Sequence, residues 1–175
     1  MIDQQLKAAI RDVPDFPRKG VVFKDITPLL QDPELCNAIL DEFIARLDTL
    51  TIDVVAGIES RGFLFGLMLA NRLGVPFVPI RKQGKLPYLT VTEEYELEYG
   101  HAAIEVHRDA FPKDVRVLIH DDLLATGGTV SAASRLVQQL GGIIEGYAFI
   151  VALTFLHGKK QLLPYSPNVI SLVDY

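Results

Sequence analysis

The sequence predicts an α/β fold in which a mostly parallel central sheet is flanked by helices. Apolar, branched runs that are typical of buried strands begin at residues 53, 75 and 115. We interpret them as three strand–helix units, which implies parallel strands joined by right-handed crossovers. The carboxyl ends of such strands share one edge of the sheet, and ligands bind at that edge in open α/β folds.

Length and composition indicate one domain that spans residues 1–175. The net charge of −5 argues against a nucleic-acid partner. The single cysteine, Cys36, can form no internal disulfide, and the four histidines are too scattered for a zinc site. The first residues lack a signal-peptide pattern, and no uncharged apolar run is long enough for a membrane span. We therefore expect a cytoplasmic protein without a membrane partner.

The chain before residue 53 predicts two helices and a connector. Residues 3–12 have the pattern of a short amphipathic helix, and the proline-containing segment 13–20 indicates a connector. An apolar extended segment, 21–26, precedes Thr27-Pro28, which is typical of an N-cap followed by proline at the first helical position. Residues 33–47 predict a longer helix, because their apolar residues recur at three- and four-residue spacing.

The middle of the chain predicts two strands with polar loops at their ends. The strand 53–58 leads into Glu59-Ser60-Arg61-Gly62 and then a helix; a phosphate-binding P-loop is excluded, because Phe63 stands where that motif needs lysine. The strand 75–80 leads into the basic run 81–85, which could be an ordinary solvated turn. Its cations nevertheless follow a strand that is expected beside the strand 53–58. Their side chains could therefore reach the same bound anion as the loop 59–62.

The remaining elements complete the sheet. Residues 90–99 and 102–107 predict two extended segments. Residues 145–154 alternate too little for an exposed strand and predict a buried one, and a short last strand is expected near 169–172.

The stretch from Val115 to Thr129 carries the strongest chemical signal. A branched apolar strand is followed by Asp121 and Asp122, by the turn 125–129, and then by a helix. A glycine-rich turn at a helix start presents N–H groups that suit a phosphate. Neighbouring carboxylates would repel that phosphate, but they can accept hydrogen bonds from sugar hydroxyls or lie near Mg²⁺. A ribose 5-phosphate satisfies both halves, although such a turn is most often a plain strand–helix connection.

Residues 121–129, Asp-Asp-Leu-Leu-Ala-Thr-Gly-Gly-Thr, strongly resemble the phosphoribosyl-pyrophosphate signature of type I phosphoribosyltransferases and are similar to its adenine branch. His120 departs from the family, which generally has an aliphatic residue there. The resemblance covers about residues 12–173. It implies a small hood at about 12–30 and a flexible β-hairpin loop at about 82–100. It also implies that the ribose 5-phosphate is bound by Asp121, Asp122, Ala125, Thr126, Gly127, Gly128 and Thr129.

Two further motifs carry roles by the same resemblance. The family binds pyrophosphate through loops similar to two loops of this chain, which assigns that role to Ser60, Arg61, Arg81, Lys82 and Lys85. Residues 96–100 resemble the family's Leu-Glu-Tyr-Gly, whose glutamate handles a purine proton. That catalytic role falls on Glu98, and Tyr99 would pack at the lid. Without the resemblance, Glu98 would be an unremarkable strand glutamate.

Residues 16–25 resemble the strip that recognises adenine in the family, although Lys19 stands where proline is usual. The resemblance implies that backbone groups of Val22 and Lys24 meet the adenine edge, while Phe23, Leu123 and Leu153 enclose its faces. Taken singly, each of these apolar residues could equally belong to an ordinary core.

The resemblance implies purine salvage by transfer of the phosphoribosyl group from phosphoribosyl pyrophosphate to adenine. It implies Mg²⁺ as cofactor, held mainly by the substrate near Asp121 and Asp122 with no certain protein ligand, and a homodimer. Two alternatives stay open: a type I transferase for another base, and a non-catalytic purine or phosphoribosyl sensor on the same fold.

Overall fold

The computed structural model describes residues 1–96 and 100–175. In this part of the chain the strands are β1 (Arg11–Pro14), β2 (Val22–Asp25), β3 (Val54–Ile58), β4 (Phe77–Lys82), β5 (Thr90–Glu96), β6 (His101–His107), β7 (Arg116–Leu124), β8 (Ile143–Ala152) and β9 (Val169–Asp174). The helices are α1 (Ile2–Ala9), α2 (Pro33–Leu47), α3 (Gly62–Leu73), α4 (Gly128–Gln139) and α5 (Gly158–Leu162). Short 3-10 turns occupy Thr27–Gln31 and Thr154–Leu156.

A seven-stranded sheet in the order β5-β6-β4-β3-β7-β8-β9 forms the centre of the described chain. The strands β4, β3, β7, β8 and β9 are parallel, whereas β6 runs antiparallel to both β4 and β5. The predicted α/β fold with a mostly parallel sheet is confirmed. One detail was wrong: β4 leads into the β5–β6 hairpin and not into a helix, because β6 pairs with β4 and β5 forms the edge of the sheet.

Both faces of the central strands are covered, which explains their unbroken apolar sequences. In β7, Leu118 packs on the side of α2 and α3, while Val117 and Ile119 pack on the side of α4. The strand β8 alternates in the same way, with Ile150 on the first side and Phe149 on the second. Side chains of a strand alternate between the two faces of the sheet, so an apolar residue is required at each position.

β1 and β2 form a separate two-stranded antiparallel sheet, called here the N-terminal hairpin, within the segment predicted as the hood. The strand β1 was not predicted, because residues 11–14 end in proline and carry charges. Asp12 and Lys24 oppose each other in the register of this hairpin. Among the described residues, no helix is long and apolar enough to cross a bilayer.

Candidate active site

The carboxyl ends of β3, β4 and β7 meet around a cavity of about 310 Å³. Because β3 pairs with β4 on one side and β7 on the other, the loops that follow these strands lie next to each other. The cavity is lined by Glu59, Ser60, Arg61, Lys82, Asp121, Asp122 and Leu123. The structure thus brings together residues that were predicted to bind pyrophosphate and residues that were predicted to bind ribose.

The two aspartates lie within β7 and not after it, since the strand continues to Leu124. Asp122 is only 3% exposed, and its Oδ2 accepts a hydrogen bond from Nε of Arg61 at 2.5 Å. Asp121 accepts the backbone N–H of Asp122 through Oδ1 at 2.9 Å. Burial, followed by the nearby Asp122 charge, raises the pKa of the Asp121 carboxyl well above its ordinary value. The pair is therefore suited to neutral sugar hydroxyls and poorly suited to a bare phosphate.

Gly62 fixes the distance between Arg61 and these aspartates. A Cβ atom at Gly62 would lie 2.9 Å from the carbonyl oxygen of His120 and 3.0 Å from Oδ1 of Asp121. Only glycine permits α3 to begin this close to β7. The close approach places the Arg61 side chain within reach of Asp122.

The basic run 81–85, called here the basic loop, begins with the last two residues of β4 and is held by Glu59. Nε of Arg81 donates to Oε2 of Glu59 at 3.1 Å, and the backbone N–H of Lys82 donates to the same oxygen at 2.9 Å. Arg81 also donates to the carbonyl oxygen of Lys85 at 3.0 Å. Burial acts to raise the pKa of Glu59, but the hydrogen bonds from Lys82 and Arg81 outweigh it and lower that pKa. Of the three predicted cations in this loop, Lys82 lines the cavity, while Arg81 is paired.

Glu105 on β6 is a second carboxylate that holds the basic loop, and the sequence did not point to it. Its side chain is 4% exposed and accepts the N–H groups of Lys85 and Leu86 at 2.9 and 2.8 Å. Burial acts to raise its pKa, but hydrogen bonds from this loop and from Thr90 lower it overall. A glutamate between apolar strand residues gives no local signal, because its partners, Lys85, Leu86 and Thr90, lie 15 to 20 positions away in the sequence. Glu59, by contrast, stood in the predicted loop but received no role.

The predicted 5-phosphate loop begins α4. Gly127, at φ 89°, precedes the first helical residue, and its carbonyl oxygen accepts the N–H of Ser131 at 2.8 Å. Thr126 and Gly128 open onto a second cavity of about 540 Å³, beside the end of β5. The loop rests on Gly158, where a Cβ atom would overlap the carbonyl oxygen of Ala125. Sequence reasoning missed Gly158, since nothing near it indicates that it supports a distant loop.

The predicted adenine strip lies beside the cavity. The Phe23 ring packs edge-on against Phe16, with centroids 5.2 Å apart, and the Arg61 guanidinium carbon lies 5.1 Å from the Phe23 centroid. Leu123 lines the cavity and Leu153 donates its N–H to the carbonyl oxygen of Leu124 at 2.9 Å. Arg61 thus contacts both a residue assigned to ribose and a residue assigned to the base.

Two predicted residues lie outside the described part of the chain, namely Glu98 and Tyr99. The described strands β5 and β6 flank them. Among the described residues, no group of three or more His, Cys, Asp or Glu side chains gathers as metal ligands do.

Comparison with known proteins identifies the family. A family model described as a phosphoribosyl transferase domain matches residues 27–170. An adenine phosphoribosyltransferase of Cytophaga hutchinsonii is 52% identical over 175 residues, which is 100% of this chain and 97% of that protein. The crystal structure of adenine phosphoribosyltransferase from Thermoanaerobacter pseudethanolicus superposes with a TM-score of 0.96 at 49% identity, covering 100% of both chains.

A third comparison extends to a complex. The adenine phosphoribosyltransferase of Saccharomyces cerevisiae, crystallised with adenine and an imino-altritol bisphosphate, superposes with a TM-score of 0.91 at 40% identity, covering 98% of each chain. The family resemblance predicted from the sequence is confirmed. The superposition on the Thermoanaerobacter pseudethanolicus structure covers 100% of this chain, so it includes the edge of the sheet that carries Arg61, Asp121 and Asp122. The chain belongs to the phosphoribosyl transferase family.

Proposed function

We propose that the chain joins adenine to the 5-phosphoribosyl group of phosphoribosyl pyrophosphate, giving AMP and pyrophosphate, as a reaction of purine salvage. The observation that carries this proposal is the position of Arg61, which bonds Asp122 and faces Phe23. Residues assigned to pyrophosphate, ribose and base are therefore close enough for one nucleotide precursor. Relatives that are about 50% identical over nearly their full length are named adenine phosphoribosyltransferases, so the predicted transferase function is confirmed.

The phosphoribosyl group is assigned to β7 and the loop after it. The hydroxyls of ribose suit Asp121 and Asp122, because Asp122 is bonded to Arg61 and burial raises the pKa of the Asp121 carboxyl. The 5-phosphate is assigned to Ala125, Thr126, Gly127, Gly128 and Thr129. The N–H groups at the start of α4 support that assignment, since they have no partners within the helix.

The leaving pyrophosphate is assigned to Ser60, Arg61, Arg81, Lys82 and Lys85. Breaking the bond at C1 of the ribose develops positive charge on the sugar and negative charge on pyrophosphate. Cations that are fixed in place before the reaction stabilise that negative charge most effectively. Glu59 and Glu105 fix the loop that carries three of these cations, which supports this assignment.

Mg²⁺ is proposed as the cofactor, and the residues present fit a weakly held ion. Asp122 is already bonded to Arg61, and the pKa of Asp121 is raised, so the pair does not form a strong cation site. Mg²⁺ commonly uses one or two carboxylates together with substrate phosphates and water. When bound, it would neutralise charge on the pyrophosphate. Asp121 and Asp122, which line the cavity, are the carboxylates of β7 that would lie near such an ion.

The N-terminal hairpin is proposed to read the base. Among the described residues, β2 pairs with β1 along one edge and has no strand on its other edge, which leaves backbone groups for a ligand. An N–H of Val22 or Lys24 can donate to N1 of adenine, and a carbonyl can accept from the 6-amino group. Hypoxanthine reverses both requirements, and each mispaired buried group costs about 1–3 kcal/mol. Phe23, Leu123 and Leu153 are proposed to enclose the faces of the ring.

Glu98 is proposed as the group that removes or relays the purine proton as N9 attacks, with Tyr99 at the lid. The end of β5 supports this position, because the Glu96 carbonyl oxygen would lie 3.9 Å from a Cβ atom at Gly128. The described end of β5, at Glu96, therefore lies beside the proposed 5-phosphate loop.

We also propose a homodimer in the cytoplasm. The exposed face of α3 carries Leu64, Leu67 and Met68, which are 42%, 57% and 37% exposed. Spaced at three and four residues, they form one apolar stripe that a second copy of the chain could cover. Light scattering after size-exclusion chromatography should give a dimer for the native chain and a monomer for Leu67→Asp. A cytoplasmic setting agrees with the free, buried thiol of Cys36.

Pyrophosphate release tests the proposed reaction. With phosphoribosyl pyrophosphate and Mg²⁺, adenine should support release, while hypoxanthine, guanine, xanthine and orotate should support at least about 30-fold less, because two mispaired groups cost at least about 2 kcal/mol. Release with another base alone would favour the alternative transferase. Binding of adenine without any release would favour the sensor.

A further inference from the structure

Tyr175, directly after β9, holds the side chain of Lys24 on the N-terminal hairpin. Nζ of Lys24 lies 3.8 Å from the centroid of the Tyr175 ring, a distance typical of a strong cation–π contact. The same ammonium group lies 2.6 Å from Oδ1 of Asp12, on the opposite strand of the hairpin. The Lys24 side chain is only 12% exposed. It is therefore fixed from two sides and is not a solvated surface cation.

The backbone of Tyr175 is fixed to the segment that contains Leu153. Its N–H donates to the carbonyl oxygen of Ala152 at 2.9 Å, and its carbonyl oxygen accepts the N–H of Thr154 at 2.8 Å. The Thr154 hydroxyl donates to the same carbonyl oxygen at 2.6 Å. Tyr175 thus bonds the residues on both sides of Leu153, while its ring holds Lys24.

The N-terminal hairpin needs such a connection, because among the described strands neither β1 nor β2 pairs with a strand of the central sheet. A two-stranded ribbon is at best marginally stable alone, so side-chain contacts set its position relative to the sheet. One such contact joins Phe23 to Arg61 on the pyrophosphate side. The contact of Lys24 with Tyr175 joins the hairpin to the Leu153 side.

We propose that Tyr175 is a positioning residue that sets the separation between β2 and Leu153, and with it the fit of the base between them. The inference rests on the proposed function, which assigns backbone groups of β2 and the Leu153 side chain to adenine. Tyr175 does not itself touch the base in this arrangement. It acts through Lys24 and through the backbone of Ala152 and Thr154.

Steady-state kinetics with adenine and phosphoribosyl pyrophosphate tests the proposal. Tyr175→Leu removes the cation–π contact, and KM for adenine should rise about three- to tenfold, while kcat and KM for phosphoribosyl pyrophosphate change less than about twofold. Tyr175→Phe keeps the ring face and should restore the native KM. Phe155→Leu is the matched control, because this nearby aromatic residue is 65% exposed and its removal should change neither KM.

A double-mutant cycle with Lys24→Met isolates the contact. Lys24→Met should raise KM for adenine by a similar factor, and adding Tyr175→Leu should raise it no further. An unchanged KM for adenine in Lys24→Met overturns the proposal, even if Tyr175→Leu fails to fold. A Tyr175→Leu variant whose kcat falls and whose two KM values rise by similar factors would also overturn the proposal, because that result indicates a purely structural role. If the native chain releases no pyrophosphate with adenine, the proposed function fails instead.

Discussion

Replacing the buried His120 with leucine should make the chain less sensitive to acid. His120 lies on β7 directly before the acidic pair and is 0% exposed. Its ring packs at 90° against Phe43, with centroids 5.6 Å apart, and a Cβ atom at Gly66 would lie 3.3 Å from it. Neither ring nitrogen has a hydrogen-bond partner of good geometry in the described part of the chain. The surroundings therefore favour the neutral ring.

The size of the effect follows from the pKa of His120. Burial lowers that pKa from 6.5 to about 4, while the Asp122 charge and the backbone of Ala148 act in the opposite direction. Between these values the unfolded chain binds a proton that the folded chain does not, so the free energy of unfolding falls as the pH falls from 6.5 towards 4. One pH unit corresponds to about 1.4 kcal/mol, so acidification to about pH 5 removes about 2 kcal/mol.

Urea unfolding between about pH 8 and about pH 5 measures this effect. The free energy of unfolding of His120→Leu minus that of the native chain should grow by about 2 kcal/mol over this range. Taking the difference removes the contributions that other titrating groups, such as Asp121, make to both proteins. His101→Leu is the control, since His101 is exposed to water at the start of β6. A difference for His120→Leu that stays constant with pH would refute the reasoning.

Three further changes test the site. Glu98→Gln should lower kcat about 10²–10⁴-fold with little change in binding of phosphoribosyl pyrophosphate, and equal losses in both would remove the proton-relay role. Glu105→Gln weakens the hydrogen bonds that hold the basic loop, so calorimetry should show about three- to tenfold weaker pyrophosphate binding. Unchanged binding would show that the loop is ordered without Glu105. Gly158→Ala introduces a Cβ atom that overlaps the Ala125 carbonyl oxygen. It should raise KM for phosphoribosyl pyrophosphate and destabilise the fold by about 1–3 kcal/mol in thermal unfolding, and native values for both would contradict the support role of Gly158.

The elements with strong local signals could be predicted from the sequence. The buried strands β3, β7 and β8 are apolar at successive positions because both faces of the sheet are covered. The helix α2 has apolar residues at helical spacing, and Asp32 caps it by accepting the N–H of Leu35 at 3.0 Å. The turn 125–129 combines glycine at a positive φ with a helix start, so the phosphate-loop interpretation needed no distant contact.

Features that depend on distant pairing could not be predicted. The sequence does not show that β6 pairs with β4, because antiparallel and parallel partners require the same apolar residues. The roles of Glu105 and Gly158 arise from contacts with residues that are distant in the sequence. Lys85, for example, lies 20 positions before Glu105. Tyr175 gives no signal for a similar reason, since its partner Lys24 lies at the other end of the chain.

The ion pairs of the site explain how it can be ordered before a ligand binds. Arg61 is paired with Asp122 and Arg81 with Glu59, so each of these predicted pyrophosphate ligands already has a carboxylate partner. A pyrophosphate group must share or displace these partners, which reduces the net Coulomb attraction. The carboxylates also hold each guanidinium group in a defined position, however, and less conformational entropy is lost on binding. Displacing Arg61 would leave the nearly buried Asp122 carboxylate without its ion-pair partner, which is costly. In the proposed complex, ribose hydroxyls would donate hydrogen bonds to Asp122 at the same time and offset this cost.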